Sequence, residues 1–193
     1  MADGVTTDSR PYPWPWHGEF APKRTGLLVI VDGTDALPDA PTTSLLLRVV
    51  RAASAAGVTV GELPDRAGTR LLPDGLIDFV VARPHIGGFS GADLDSILRR
   101  RGITDLVLIG FPFELGADCT MRQANDMGYE CLALTDCCTG LAPDTLAGAM
   151  SSIQMSGGIF GAVAASAAVL DLFAQNQVAA SAATPITSRS QRA

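Results

Sequence analysis

Gly26-Leu27-Leu28-Val29-Ile30-Val31-Asp32-Gly33 decides the architecture. The run from Gly26 to Val31 carries no polar side chain, is too short for a helix and ends in an Asp-Gly loop signal. That is the pattern of a parallel strand buried on both faces. Further strands read at Val58-Thr59-Val60, at Ile77 to Val81, at Leu106 to Ile109 before Gly110, and at Cys131 to Leu134 before Asp136. Helical spacing fills the intervals. Residues 42–56 place Leu45, Leu46, Val49, Val50 and Ala53 on one face and stop at Gly57. Residues 93–101 turn Leu94, Ile97 and Leu98 inward and close at Gly102. Further helices read at 117–127, 143–155 and 161–174. Strands alternating with helices predict a three-layer α/β/α sandwich with a mostly parallel sheet of five or six strands. Ligands of such sheets bind outside the carboxyl ends of the strands. The loops after Val31, Val81, Ile109 and Leu134 therefore become the places to look.

The composition narrows the function. The 193 residues are 47% hydrophobic and 18% charged, enough for one domain with a sizeable core. A net charge of −6, with Arg99-Arg100-Arg101 as the one dense basic run, excludes a nucleic-acid surface. The longest apolar stretch, Ile159 to Leu170, is interrupted by Gly, Ala and Ser and falls short of the roughly 20 residues of a membrane span. Asp3 and Asp8 stand where a secretory leader would be basic and apolar, so a cytoplasmic protein is expected. Cys119, Cys131, Cys137 and Cys138 form no Cys-x-x-Cys pair, and His17 and His85 lie far from them in sequence. No metal site and no disulfide framework is expected, only buried thiols. No phosphate-binding glycine motif follows the first strand, and no cofactor is expected. Gly87-Gly88-Phe89-Ser90-Gly91 reads either as an anion cradle of backbone N–H groups or as an ordinary turn. The chain divides into a Pro/aromatic arm (1–22), one α/β domain (23–174) and a disordered Ala/Ser/Thr tail (175–193).

Four segments then combine into a resemblance. They are Thr25 to Asp35; Arg83-Pro84-His85-Ile86-Gly87-Gly88-Phe89-Ser90-Gly91-Ala92-Asp93-Leu94; Leu106 to Tyr129 with Gly110-Phe111-Pro112-Phe113-Glu114-Leu115-Gly116 and Thr120; and Gly157-Gly158-Ile159-Phe160-Gly161. In this order and spacing, residues 12–173 resemble the isochorismatase-like superfamily, whose larger branch is the cysteine hydrolases. The Tyr-Pro-Trp-Pro-Trp opening and the Gly-Gly-Ile-Phe-Gly segment look most like the biuret and ureidoacrylate hydrolase branch.

The resemblance implies a triad that this chain departs from. The family's amidases use an Asp after the first strand, a Lys before the Pro of the second segment, and a Cys at the start of the helix after the fourth strand. Those places hold Val31 or Asp32, depending on a one-residue gap, then Arg83 and Gly116. Val31 and Asp32 point to opposite faces of a strand. The family also has a cis peptide after the strand's Gly, whose following N–H serves the oxyanion. Here Phe111–Pro112 is expected to be cis, and Pro112 has no N–H to give. One lost oxyanion donor costs about 100- to 1,000-fold in rate. Without a thiol at Gly116, ordinary cysteine amidase catalysis is excluded. What remains is a repurposed small-molecule hydrolase using no cysteine nucleophile, or a silent binder of a metabolite or partner subunit. In the first, Arg83 clamps an anionic or amide-bearing ligand and Asp32 or Glu114 is the acid–base group. His85, Phe89, Pro112, Phe113, Gly116 and Cys119 are the expected ligand-contacting residues. A homo-oligomer is expected from the apolar 157–161 segment, the aromatic arm and the habit of the family.

Overall fold

The computed structural model describes residues 20–33 and 37–182, with side chains to residue 178. The arm at 1–22, with His17, lies almost wholly outside the described residues. Strands β1 (Thr25–Val31), β2 (Thr59–Pro64), β3 (Phe79–Val80), β4 (Asp105–Phe111), β5 (Glu130–Leu134) and β6 (Ala162–Ala164) form one parallel sheet in the order β3-β2-β1-β4-β5-β6. The helices are α1 (Ala40–Ala55), α2 (Leu94–Arg100), α3 (Asp118–Asp126), α4 (Pro143–Met155) and α5 (Ser166–Ala182). This is the α/β architecture expected, with six strands. No helix among the described residues is long and apolar enough to cross a membrane.

β1 and β4 are buried at every residue, as their unbroken apolar runs require of central parallel strands. α1 starts on an Asp39 cap, whose carboxylate accepts the Thr42 N–H at 2.9 Å, with Pro41 in its first turn. It buries Leu46, Val49, Val50 and Ala53 and packs beside α5. α2 is tied to the end of α3, where Arg99 Nη2 donates to Met127 O and the Tyr129 hydroxyl donates to Asp95.

β3 is shorter than the sequence reading and β4 longer, and three further differences bear on the fold. β2 runs on through Gly61-Glu62-Leu63-Pro64. Glycine is needed at 61 because a Cβ there would overlap the Phe79 ring. Glu62 is buried as an acceptor for Arg70 Nε and for the Leu71 and Leu72 N–H groups. The segment read as a helix from 161 begins with β6, paired along β5, and α5 starts only at Ser166. α5 then continues past Gln175, because Gln-Asn-Gln-Val-Ala-Ala-Ser-Ala has the alanines to carry a helix.

Candidate functional site

The strand order reverses between β1 and β4, and there the carboxyl ends diverge into a crevice. β1 delivers the first residue. The Asp32 N–H donates to Phe111 O at 2.8 Å, prolonging the β1–β4 ladder by one position. Asp32, not Val31, therefore turns toward the crevice. Val31 is fully buried in the core. β2 and β3 deliver the second. The Arg83 N–H donates to Pro64 O, and its side chain is fully buried. β4 delivers the third through Phe111–Pro112, which is cis as the alignment requires, followed by a π-helical turn at Phe113–Ala117 that carries Gly116 into α3.

These three residues meet. Arg83 Nη2 donates to Asp32 Oδ1 at 2.6 Å, and the Gly116 N–H donates to Asp32 Oδ2 at 2.8 Å. Arg83 also donates from Nε to Leu63 O at 3.1 Å, from Nη2 to Val31 O at 2.9 Å, and from Nη1 to Ile86 O. Four of its five N–H groups are thus engaged by the protein. A Cβ added at Gly116 would overlap Arg83 Nη1 and Asp32 Oδ2, and would lie 2.9 Å from Arg83 Cζ. The guanidinium occupies the space of the side chain that Gly116 lacks. This revises the reading of Arg83 as a clamp for a ligand carboxylate. It is a strut that ties the ends of β1 and β2 to the loop after β3, with one N–H left over.

A cavity of about 560 Å³ opens above this pair, bordered by Asp32, Arg83, Asp65, Arg66, His85, Ile86 and Leu115 among others. It is of the size that takes a small ligand. Asp65 holds its wall. Its carboxylate accepts the Gly33 N–H at 3.0 Å, where Gly33 turns at φ 75°, and the Ala67 N–H at 3.0 Å. His85 lies exposed at the rim. Among the described residues no three His, Cys, Asp or Glu side chains are grouped to hold a metal ion.

The other expected ligand contacts lie elsewhere. The Glu114 carboxylate accepts from the Leu141 N–H and from Thr145 Oγ1, and so secures the start of α4. The Phe89 ring packs on Tyr129 at 5.6 Å, and Pro112 and Phe113 are buried. The Phe113 N–H donates to Thr139 O. Of the two readings of Gly87 to Gly91, the turn holds. The Gly88 N–H donates to Thr120 Oγ1 and the Phe89 N–H to Gln123 Oε1, so α3 takes up both groups. Cys119 is half-buried on α3, and burial pushes its thiol up, reinforced by the Asp118 carboxylate. Cys137 is pushed up to about 12 by burial, and Cys131 and Cys138 are also raised by the same cause. None has the electropositive, accessible setting of a reactive thiolate.

Sequence reasoning missed Asp65 and Arg66. With β2 read as ending at Val60, they did not stand at a strand end. The signal was the apolar Leu63 two residues past Gly61, with the acid between them.

Residues 46–168 match the isochorismatase domain family. The chain is 42% identical over 59 residues to the uncharacterized isochorismatase family protein YwoC of Bacillus subtilis, 31% of either chain. It is 36% identical over 66 residues to the ureidoacrylate amidohydrolase RutB of Acinetobacter baylyi, 34% of this chain and 27% of that one. These matches span about a third of the length of the curated relatives. Among solved structures, a cysteine hydrolase from Pseudomonas syringae superposes with a TM-score of 0.70 at 19% identity, over 91% of this chain and all of that one. The nicotinamidase of Staphylococcus aureus superposes with a TM-score of 0.63 at 16% identity, over 73% of this chain and 98% of that one. These likenesses establish a shared fold.

Proposed function

The chain belongs to the isochorismatase family, and from that premise we propose that it is a small-molecule hydrolase working without a cysteine nucleophile, on an anionic or amide-bearing metabolite. The observation that carries this reading is the Asp32 carboxylate at the cavity floor, fixed by Arg83 and the Gly116 N–H beside a position with no side chain. Each Asp32 oxygen accepts one hydrogen bond from the protein, which leaves lone pairs for a water molecule. For an amide substrate, that water attacks the carbonyl carbon, a C–O bond forms and the C–N bond breaks. Asp32 takes the water's proton and returns it to the departing nitrogen. Arg83 keeps its charge throughout and orients Asp32.

The test is a panel of small amides, ureides and carboxylate-bearing vinyl ethers, assayed before and after thiol alkylation. Turnover is expected to survive alkylation and to fall about 100-fold or more in Asp32→Asn. Stoichiometric inactivation traced to Cys119 would instead revive thiol chemistry. A second reading, a silent ligand-binding member, is favoured by the engagement of the Gly116 N–H with Asp32 and of four Arg83 N–H groups with protein acceptors. Saturable binding without turnover of any panel member would select it. The proposal includes self-association through Leu141, Met155 and Ile159, which are 57–76% exposed. Light scattering at micromolar concentration is expected to give more than one chain per particle, and a monomer refutes it.

A further inference from the structure

We propose that Arg66, not Arg83, reads the charge of the ligand in this cavity, and that the ligand is a small carboxylate with an apolar body. The inference rests on the reading of the cavity as a small-molecule site. Its starting point is an inventory of donors and charges around the walls. Asp32 and Arg83 are paired with each other at 2.6 Å. Both oxygens of Asp65 are taken by backbone N–H groups. Arg66 differs. Its Nε donates to Pro84 O at 2.7 Å, which fixes the guanidinium against the loop after β3. Its two terminal nitrogens have no hydrogen-bond partner and no ion pair among the described residues.

Those nitrogens carry four N–H groups on a planar cation already oriented by its own stem. A carboxylate fits their paired outer edge with two parallel charge-assisted hydrogen bonds. With Nε engaged, the approach is end-on, across Nη1 and Nη2. The His85 ring lines the same cavity and has no hydrogen-bond partner among the described residues, while the Arg83 guanidinium is fully buried, so the exposed polar side chains of these walls, the acids apart, are donors. The opposite character comes from Ile86, a large aliphatic chain 51% exposed at the mouth, with Pro84 and Leu115 beside it. A carboxylate on Arg66 with an aliphatic or aromatic body against Ile86 and Leu115 satisfies both walls.

The experiment is calorimetric titration of the full chain with benzoate and sorbate, and with their neutral counterparts benzamide and sorbamide. Methyl NMR of Ile86 and Leu115 reports where they bind. The acids are expected to bind the wild type more tightly than the amides. Arg66→Gln is expected to weaken the acids about 10- to 100-fold and leave the amides unchanged, while Arg66→Lys keeps part of the preference as a point charge. Arg66 is exposed, so neither variant should disturb the fold. Acids that bind Arg66→Gln as tightly as wild type, or amides that bind the wild type as well as acids, overturn the inference and leave the cavity reading standing. If neither series shifts Ile86 or Leu115, the cavity reading fails and the inference with it.

Discussion

Neighbouring strands β1 and β4 carry an arginine–aspartate pair at each end, and the two pairs are built in opposite ways. At the carboxyl end the cation is buried. Arg83 has no exposed side-chain surface, and Asp32, 10% exposed, has both oxygens hydrogen-bonded. At the amino end the anion is buried. Asp105 is 4% exposed, its Oδ2 has no hydrogen-bond partner among the described residues, and Arg24, 48% exposed, stands 3.3 Å off. A buried ion pair is held only when its remaining hydrogen-bonding capacity is met. The first pair meets that condition through three backbone carbonyls and a helix-entry N–H. The second does not. The contrast separates a built floor from a tolerated charge.

Removing the cations is the strongest way to break this comparison. Arg83→Ala leaves the Asp32 carboxylate without its cation and takes a donor from the Leu63, Val31 and Ile86 carbonyls, and is expected to cost about 3–5 kcal/mol. For a chain of this size that lowers the melting temperature by roughly 6–20 °C, read by scanning calorimetry. Arg24→Ala is expected to stay within about 1 kcal/mol, as for a half-exposed pair. Equal losses at the two ends would mean that burial of the anion, not of the cation, sets the energy. A smaller effect sharpens the carboxyl end alone. Gly116→Cys pushes a Cβ into Arg83 and Asp32 and is expected to cost about 1–3 kcal/mol by overpacking. In an Arg83→Lys background the loss should shrink, with a coupling of about 0.5–3 kcal/mol in a double-mutant denaturation cycle. Additive losses would show that the guanidinium does not fill that space.

The two ends also differ in how legible they were. The fold was readable because β1, β4 and β5 are unbroken apolar runs, and because Gly57, Gly102 and Gly128 mark helix ends. The meeting of positions 32, 83 and 116 followed from the alignment, as did the cis bond before Pro112. The choice between Val31 and Asp32 did not. It depends on whether the β1–β4 ladder continues for one residue, which a strand's own sequence does not state. Nor did the role of Arg83. A guanidinium's donors can go to a ligand or to the backbone, and three carbonyls, from the ends of β1 and β2 and from the loop after β3, decide the matter. Glu114 read as an acid near the chemistry, and the π-helical turn swings it to Thr145 instead. Arg66 was hidden by Glu62, a buried acid that interrupts the apolar run of β2.

The smallest expected effect tests the amino end through pH. Burial is the main cause that raises the Asp105 carboxyl above its ordinary value, and the nearby Glu130 carboxylate adds to it, while Arg24 and Thr104 oppose it. Because the folded carboxyl holds its proton more tightly than the unfolded one, the native state binds more protons between the two pKa values. Stability attributable to this residue therefore falls as pH rises through that window, and above it the penalty is constant. Asp105→Asn removes the charge and keeps the shape, while giving up an ion pair to a half-exposed arginine. At neutral pH the variant is expected to be as stable as the wild type or more stable by up to about 1 kcal/mol. The difference should shrink as the pH is lowered past the raised pKa, where wild-type Asp105 is itself neutral. Urea denaturation of both proteins from pH 4 to pH 8 reads the difference directly. A variant less stable at neutral pH, with a deficit that closes on acidification, would show that the Arg24 pair outweighs the burial, and that the two ends of β1 and β4 are built alike.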